Sequence, residues 1–187
     1  MYKLLTAALA AAAILGAGSM ASAQVTTNVY TGHGGGGGAP FSGLVGTLNT
    51  PDIQFATNTG FNWHPFGLFD FGSDSTGSLS VATSGTYTFS LVSDDGSQAF
   101  IDGSLVVDDS GAHGPNLSTG SVFLTAGLHS FEVQFFECCG GASGVDFNLP
   151  SGVSVSNGVP EPGVWALMLV GFGGLGAALR RRRPAIA

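Results

Sequence analysis

Gly85-Thr86-Tyr87-Thr88-Phe89-Ser90-Leu91-Val92 alternates large apolar with small polar side chains, so an extended chain puts Tyr87, Phe89 and Leu91 on one face and Thr88 and Ser90 on the other. That is the period of a half-buried strand. Thr83-Ser84-Gly85 supplies a turn before it, and Ser78 to Ala82 a strand on the far side of that turn. Downstream, Gln98 to Ile101 and Ser104 to Asp108 flank Asp102-Gly103, a dipeptide suited to the positive φ angles of a two-residue type I′ hairpin. Ser121 to Leu124, the turn Thr125-Ala126-Gly127 and Leu128 to Phe136 form another pair, with Phe131, Val133 and Phe135 facing one way and Glu132 and Gln134 the other. Gly144 to Leu149 closes the series. No long stretch carries a 3.6-residue apolar period, so residues 41–152 read as one all-β domain. Roughly seven to nine short strands fit an antiparallel β-sandwich or a barrel.

The ends read differently. Met1-Tyr2-Lys3, the apolar run Leu4 to Gly18 and the small-residue site Ala21-Ser22-Ala23 have the three parts of a secretory signal. Residues 1–23 are therefore expected as a Sec signal helix, removed by signal peptidase between Ala23 and Gln24. Residues 24–40 contain the run Gly34 to Gly38, whose backbone freedom makes regular structure costly, and read as a flexible leader. Residues 153–163 read as a linker. Val164 to Leu179 is an apolar segment expected as a transmembrane helix, which reaches about 24 Å, slightly short of a bilayer core of roughly 30 Å. Arg180, Arg181, Arg182 and Arg183 then snorkel to the interface and hold residues 180–187 in the cytoplasm, which leaves the β-domain on the other side of the membrane.

Charge divides the chain in the same way. All five basic residues lie in the two ends, at Lys3, Arg180, Arg181, Arg182 and Arg183. Of the twelve acidic residues only Glu161 lies outside the body. Asp52, Asp70, Asp74, Asp94, Asp95, Asp102, Asp108, Asp109, Glu132, Glu137 and Asp146 therefore have only four histidines as side-chain cations. Such carboxylates either spread over the surface, where they serve solubility, or share a divalent cation, for which a hard oxygen-rich site suits calcium. Nucleic acid is excluded as a partner, because a polyanion needs Lys or Arg to displace its counterions. The two cysteines, Cys138 and Cys139, are adjacent, with Cα atoms expected about 3.8 Å apart, below the usual disulfide range. A vicinal disulfide, an intermolecular link and two free thiols all stay open.

Gly85 to Ser97, then Phe100-Ile101-Asp102-Gly103, Leu105 to Asp108, Gly111 to Gly114, Leu124 to Glu137 and Gly140-Gly141-Ala142 resemble the protective-antigen-type domain. That family is a lectin-like β-sandwich of jelly-roll type found in bacterial toxins, glycosidases and yeast flocculins. In its sugar-binding members two successive aspartates, joined by a cis peptide, hold a calcium ion that binds sugar hydroxyls. Asp94 and Asp95 are the matching residues. The loop expected to add an asparagine, Glu137 to Asp146, contains none and offers Asp146 instead. A second reading makes Asp94-Asp95-Gly96 a turn whose side chains bond nearby backbone.

Val159-Pro160-Glu161-Pro162, the apolar segment and the cluster Arg180-Arg181-Arg182-Arg183 resemble the PEP-CTERM signal read by an exosortase, a membrane protease of Gram-negative bacteria with extracellular polysaccharide systems. An ordinary tail anchor is the alternative. Asp70-Phe71-Gly72 spells a kinase tripeptide by accident, because a body without lysine has no phosphate-pairing residue. No Gly-x-Ser-x-Gly or His-Glu-x-x-His occurs, so no enzyme is expected. The expectation is an exported surface or matrix protein, transiently anchored in the inner membrane, that binds exopolysaccharide. A structural matrix protein without ligand and an accessory glycan-processing enzyme are the rivals.

Overall fold

The computed structural model describes residues 24–34 and 40–156. The signal at 1–23, with its cleavage residue Ala23, and most of the glycine run lie outside the described residues. So do the Pro160-Glu161-Pro162 motif, the apolar segment 164–179, and Arg180, Arg181, Arg182 and Arg183 of the 180–187 tail. Among the residues described, no helix is long and apolar enough to cross a membrane.

Alternation decides the strands. β4 (Gly85–Asp94) buries Phe89 and Leu91 completely and leaves Thr86 and Thr88 exposed. It pairs antiparallel with β7 (Asn116–Leu124) on one side and with β9 (Gly144–Asn148) on the other, which makes the smaller sheet. The larger sheet holds β1 (Val25–Tyr30), β2 (Leu44–Thr50), β3 (Phe71–Val81), β5 (Ser97–Ile101), β6 (Ser104–Asp109), β8 (Gly127–Glu137) and β10 (Val153–Ser156). Its order is β2-β1-β3-β8-β5-β6, and β10 pairs with β3. β1 lies along residues 72–76 of β3 and β10 along 78–81, so the two short strands share one side of it end to end.

The inner faces meet in one core. Val25, Val29, Phe71, Leu79, Phe131, Val133 and Phe135 of the larger sheet face Phe89, Leu91, Val145 and Phe147 of the smaller. Phe147 stacks on Phe89 and tilts against Phe131, each at a centroid distance of 5.6 Å. Removing such a side chain from water stabilises the fold by about 1.5 to 3 kcal/mol. β6 and β7 cross closely enough that a Cβ on Gly120 would lie 1.7 Å from the Val106 carbonyl oxygen. The short helix α1 (Phe55–Thr59) precedes Trp63, whose ring stacks on Phe55 at 4.0 Å and meets Phe71 edge-on at 5.3 Å.

Two boundaries differ from the sequence reading. Residues 24–40 are not a leader throughout, because Val25–Tyr30 lies between β2 and β3 with Val25, Thr27 and Val29 buried. The backbone freedom of the glycine run does not reach these neighbours, which alternate like any strand. Likewise residues 153–156 are no linker but the strand β10, whose Val153 and Val155 pack on the core. At the hairpin, Asp102 and Gly103 have φ of 49° and 75°, the sign that a type I′ turn requires.

Candidate cation and ligand site

Three loops meet at one end of the sandwich. The β4–β5 connection carries Asp94-Asp95-Gly96, the β6–β7 connection carries His113, and the β8–β9 connection begins at Cys138. Gly96 is held tightly. A Cβ there would lie 2.4 Å from the Phe136 ring and 2.6 Å from the Gly111 carbonyl oxygen, while the Gly96 carbonyl accepts the Phe136 N–H at 3.0 Å.

Register brings the acids together. Ser97 of β5 pairs with Phe135 of β8, so continuing that antiparallel ladder by two residues sets Asp95 opposite Glu137. One carboxylate oxygen from each of Asp94, Asp95 and Glu137 lies within 4.8 Å of the other two. The peptide bond between Asp94 and Asp95 is cis. All three residues are buried, at 8%, 6% and 1% exposure. Asp95 is clamped: its Oδ1 accepts the His113 N–H and its Oδ2 the Cys138 N–H, both at 2.9 Å. Glu137 Oε2 is buried and has no hydrogen-bond partner.

Charge is only partly compensated there. Burial, then Asp95 and Asp94, push the Glu137 carboxyl up to about 8, and burial and Asp95 raise that of Asp94. His113 acts against this and lowers the Asp94 value. Burial opposes its charge, but hydrogen bonds to the Asp109 and Gly114 carbonyls outweigh it and raise its pKa. Both ring nitrogens face carbonyl oxygens, Nε2 toward Asp109 at 3.0 Å and Nδ1 toward Gly114 at 2.8 Å. Two acceptors need two N–H donors, which only the imidazolium provides. Asp109 below it is satisfied by Asn116 at 2.7 Å, Ser118 at 2.6 Å and Ser93 at 3.2 Å, and so anchors the loop rather than facing a ligand.

Asp146 stands elsewhere. Its neighbours Val145 and Phe147 face the core, so alternation turns Asp146 to the opposite face of β9. There it accepts the Ala56 N–H at 2.8 Å, the Thr57 N–H at 3.1 Å and the Thr57 hydroxyl, and caps α1. Glu137 takes the place the sequence reading gave to Asp146. The signal for it was present, since Phe131, Val133, Phe135 and Glu137 share one face of β8.

Cys138 and Cys139 are joined in a disulfide with Cα atoms 3.7 Å apart, and a sulfur of each lies within 4.8 Å of an Asp95 carboxylate oxygen. His33 pairs with Asp70 and rests its ring 5.7 Å from that of Phe136, at the rim of the same end. The donor set is buried carboxylate oxygen, a hard donor, and Glu137 Oε2 lacks a partner within it. These residues fit a calcium ion.

Solved structures share the fold. A "PA14 sugar-binding domain from RTX adhesin" is 22% identical at a TM-score of 0.54, covering 70% of this chain and 90% of that one. The "PA14 domain of MpAFP Antifreeze protein" is 15% identical at 0.51, covering 74% and 85%. An anti-sigma factor domain-containing protein from Clostridium clariflavum is 20% identical at 0.56, covering 70% of this chain and 44% of that chain. A second such protein is covered over 50% of its length, so the chain spans about half of either. No curated protein matches the chain in sequence. The PEP-CTERM protein-sorting motif matches residues 158–183, a span that takes in Pro160-Glu161-Pro162 and all four arginines from Arg180 through Arg181 and Arg182 to Arg183. The PA14 domain matches residues 28–158. Over that span, most of its length, the chain belongs to the PA14 domain family.

Proposed function

We propose that this is an exported surface or matrix protein, sorted by an exosortase, whose β-sandwich binds the carbohydrate of an extracellular polysaccharide through calcium held by Asp94, Asp95 and Glu137. The observation that carries the binding half is Glu137 Oε2, buried and unpartnered beside two more carboxylates in a body without Lys or Arg. When bound, calcium supplies positive charge and further coordination positions that sugar hydroxyls can fill. Asp95 is oriented for this by backbone N–H groups from two loops, and each of its oxygens keeps a lone pair for a cation. The solved RTX adhesin domain with the same fold is described as sugar-binding, which supports the reading.

The sorting half rests on the tail. In this reading the chain passes the Sec translocon and loses residues 1–23 after Ala23. It is held in the inner membrane of a Gram-negative cell by 164–179, with Arg180, Arg181, Arg182 and Arg183 on the cytoplasmic side. It reaches the surface or matrix once the exosortase acts at Pro160-Glu161-Pro162. Binding, not catalysis, is its role.

A glycan array probed with the purified protein should show binding that disappears with chelator and returns with calcium. Binding indifferent to chelator would remove the cation from the reading, and no binding to any glycan would favour a structural matrix protein. Replacing Pro160, Glu161 and Pro162 with alanine should leave the precursor in the membrane fraction. Equal release of variant and wild type would remove the exosortase.

A further inference from the structure

We propose that the Cys138–Cys139 disulfide is a positioning element of this site, holding the Cys138 N–H on Asp95 so that the Asp95 and Glu137 carboxylates face one cation. The inference rests on the cation reading for its purpose and on the loop geometry for its substance.

β8 ends at Glu137, and the next residue donates its N–H to Asp95 Oδ2. Cys138 is therefore covalently next to one carboxylate and hydrogen-bonded to another. Beyond it one short-range bond, from the Gly140 N–H to the Cys138 carbonyl at 2.5 Å, is all that holds the loop before Ser143. Cys139, Gly140 and Gly141 follow one another at φ of 63°, 68° and 133°, and a Cβ on either glycine would meet nothing within 4 Å. Left-handed backbone is disfavoured for a residue with a side chain, and two glycines add conformational freedom. Order returns at Ser143, which exchanges backbone bonds with Phe61 and Trp63 at 2.9 Å and donates its hydroxyl to the Trp63 carbonyl at 2.9 Å.

Between these anchors the disulfide closes a ring through a single peptide unit. That ring restricts the backbone of Cys138 and Cys139 together, and so fixes the residue whose N–H clamps Asp95. The His113 N–H on Oδ1 does not replace it, because it comes from a different loop and leaves Oδ2 without a donor of its own. Without the ring, the Cys138 N–H is free to exchange Asp95 for water. Glu137 stays on β8 through its pairing with Phe71, so the loss falls on the relative placement of the two carboxylates.

The test compares oxidised and reduced full-length protein. A trialkylphosphine breaks the S–S bond to two thiols, with two protons and the oxygen of its own oxide taken from water. Two quantities are then read: hydrogen exchange at the Cys138 amide, and the calcium concentration giving half of the maximal thermal stabilisation. Reduction should speed exchange at Cys138 at least tenfold and raise the calcium midpoint at least tenfold, while the Phe89 amide in the core keeps its protection. The double variant Cys138→Ser with Cys139→Ser should match the reduced protein without reductant. Unchanged Cys138 exchange and an unchanged midpoint would overturn the proposal. A parallel loss of protection at Phe89 would overturn it too, because the disulfide would then be holding the whole fold. If oxidised protein ignores calcium yet reduction frees the Cys138 amide alone, the positioning role stands and the cation reading falls.

Discussion

β5 has an Asp-Gly connection at each end, and the two treat their acids in opposite ways. At Asp102-Gly103 the aspartate is spent on its surroundings. Oδ1 accepts the Ser130 N–H at 3.0 Å, Oδ2 meets His129 Nδ1 at 2.6 Å, and the His129 hydrogen bond holds the Asp102 carboxyl below its usual range. The same contact raises the His129 pKa. At Asp94-Asp95-Gly96 burial and neighbouring acids push Asp94 and Glu137 upward, and Glu137 keeps an oxygen with no donor. Both motifs suit a turn by propensity. Satisfaction of the side chain separates an acid that makes a turn from acids that leave room for a ligand.

The largest effect expected lies in the core that both ends share. Phe89→Ala should cost roughly 3 to 5 kcal/mol, with or without calcium, and Phe131→Ala a similar amount. Thr88→Ala, on the exposed face, should cost far less. Equal melting shifts for all three would mean that β4 and β8 are faced wrongly.

Calcium should separate the two ends next. A hundredfold excess over Kd stabilises by about 2.7 kcal/mol, read as a rise in melting temperature that Asp95→Asn weakens and Asp102→Asn leaves intact. Without calcium the signs should oppose. Asp102→Asn loses a charged partner for His129 and should destabilise by about 1 kcal/mol at an exposed position. Glu137→Gln should stabilise the metal-free protein at pH 8. The reason is linkage: with a folded value of about 8 against an ordinary 4.5, Glu137 keeps in the folded state a proton that the unfolded chain loses. Metal-free stability should therefore fall as pH rises from about 4.5 to 8, and Glu137→Gln should flatten that fall. Destabilisation by Glu137→Gln at pH 8 without calcium would place Glu137 with Asp102, as a structural acid.

The smallest effect concerns the outer face of the larger sheet. Asp74, with a buried Oδ1 that has no partner, is raised to about 6 by burial and by Glu132. Its contribution also falls as pH rises, here between about 3.8 and 6. Asp74→Asn should raise the melting temperature at pH 8 by the equivalent of about 1 kcal/mol, after allowing for solvent screening, and change little at pH 3. A calcium response altered by this change would show that the cation sits elsewhere than the Asp94-Asp95 end.

Local pattern by itself determined a good deal. A period of two cannot be mistaken over Gly85 to Val92 or Leu128 to Phe135, since a slip of one residue would turn Phe89, Phe131 and Phe135 into solvent. Asp102-Gly103 specified its turn, because only certain residues take positive φ cheaply. The absence of Lys and Arg from the body makes Asp94 and Asp95 a point of charge that no basic side chain of the body relieves. Tertiary structure alone decided which third acid joins them. Glu137 and Asp146 bound the same loop, and only the pairing of β8 with β5 brings Glu137 across from Asp95 while the parity of β9 turns Asp146 to the helix α1. It also decided that Val25–Tyr30 is a strand within the sheet, since a six-residue segment beside a glycine run gains its order from the partners on either side of it. Side-chain direction along a strand follows from local covalent geometry. Which strands lie side by side depends on contacts distant in sequence, and a single chain read in order does not contain them.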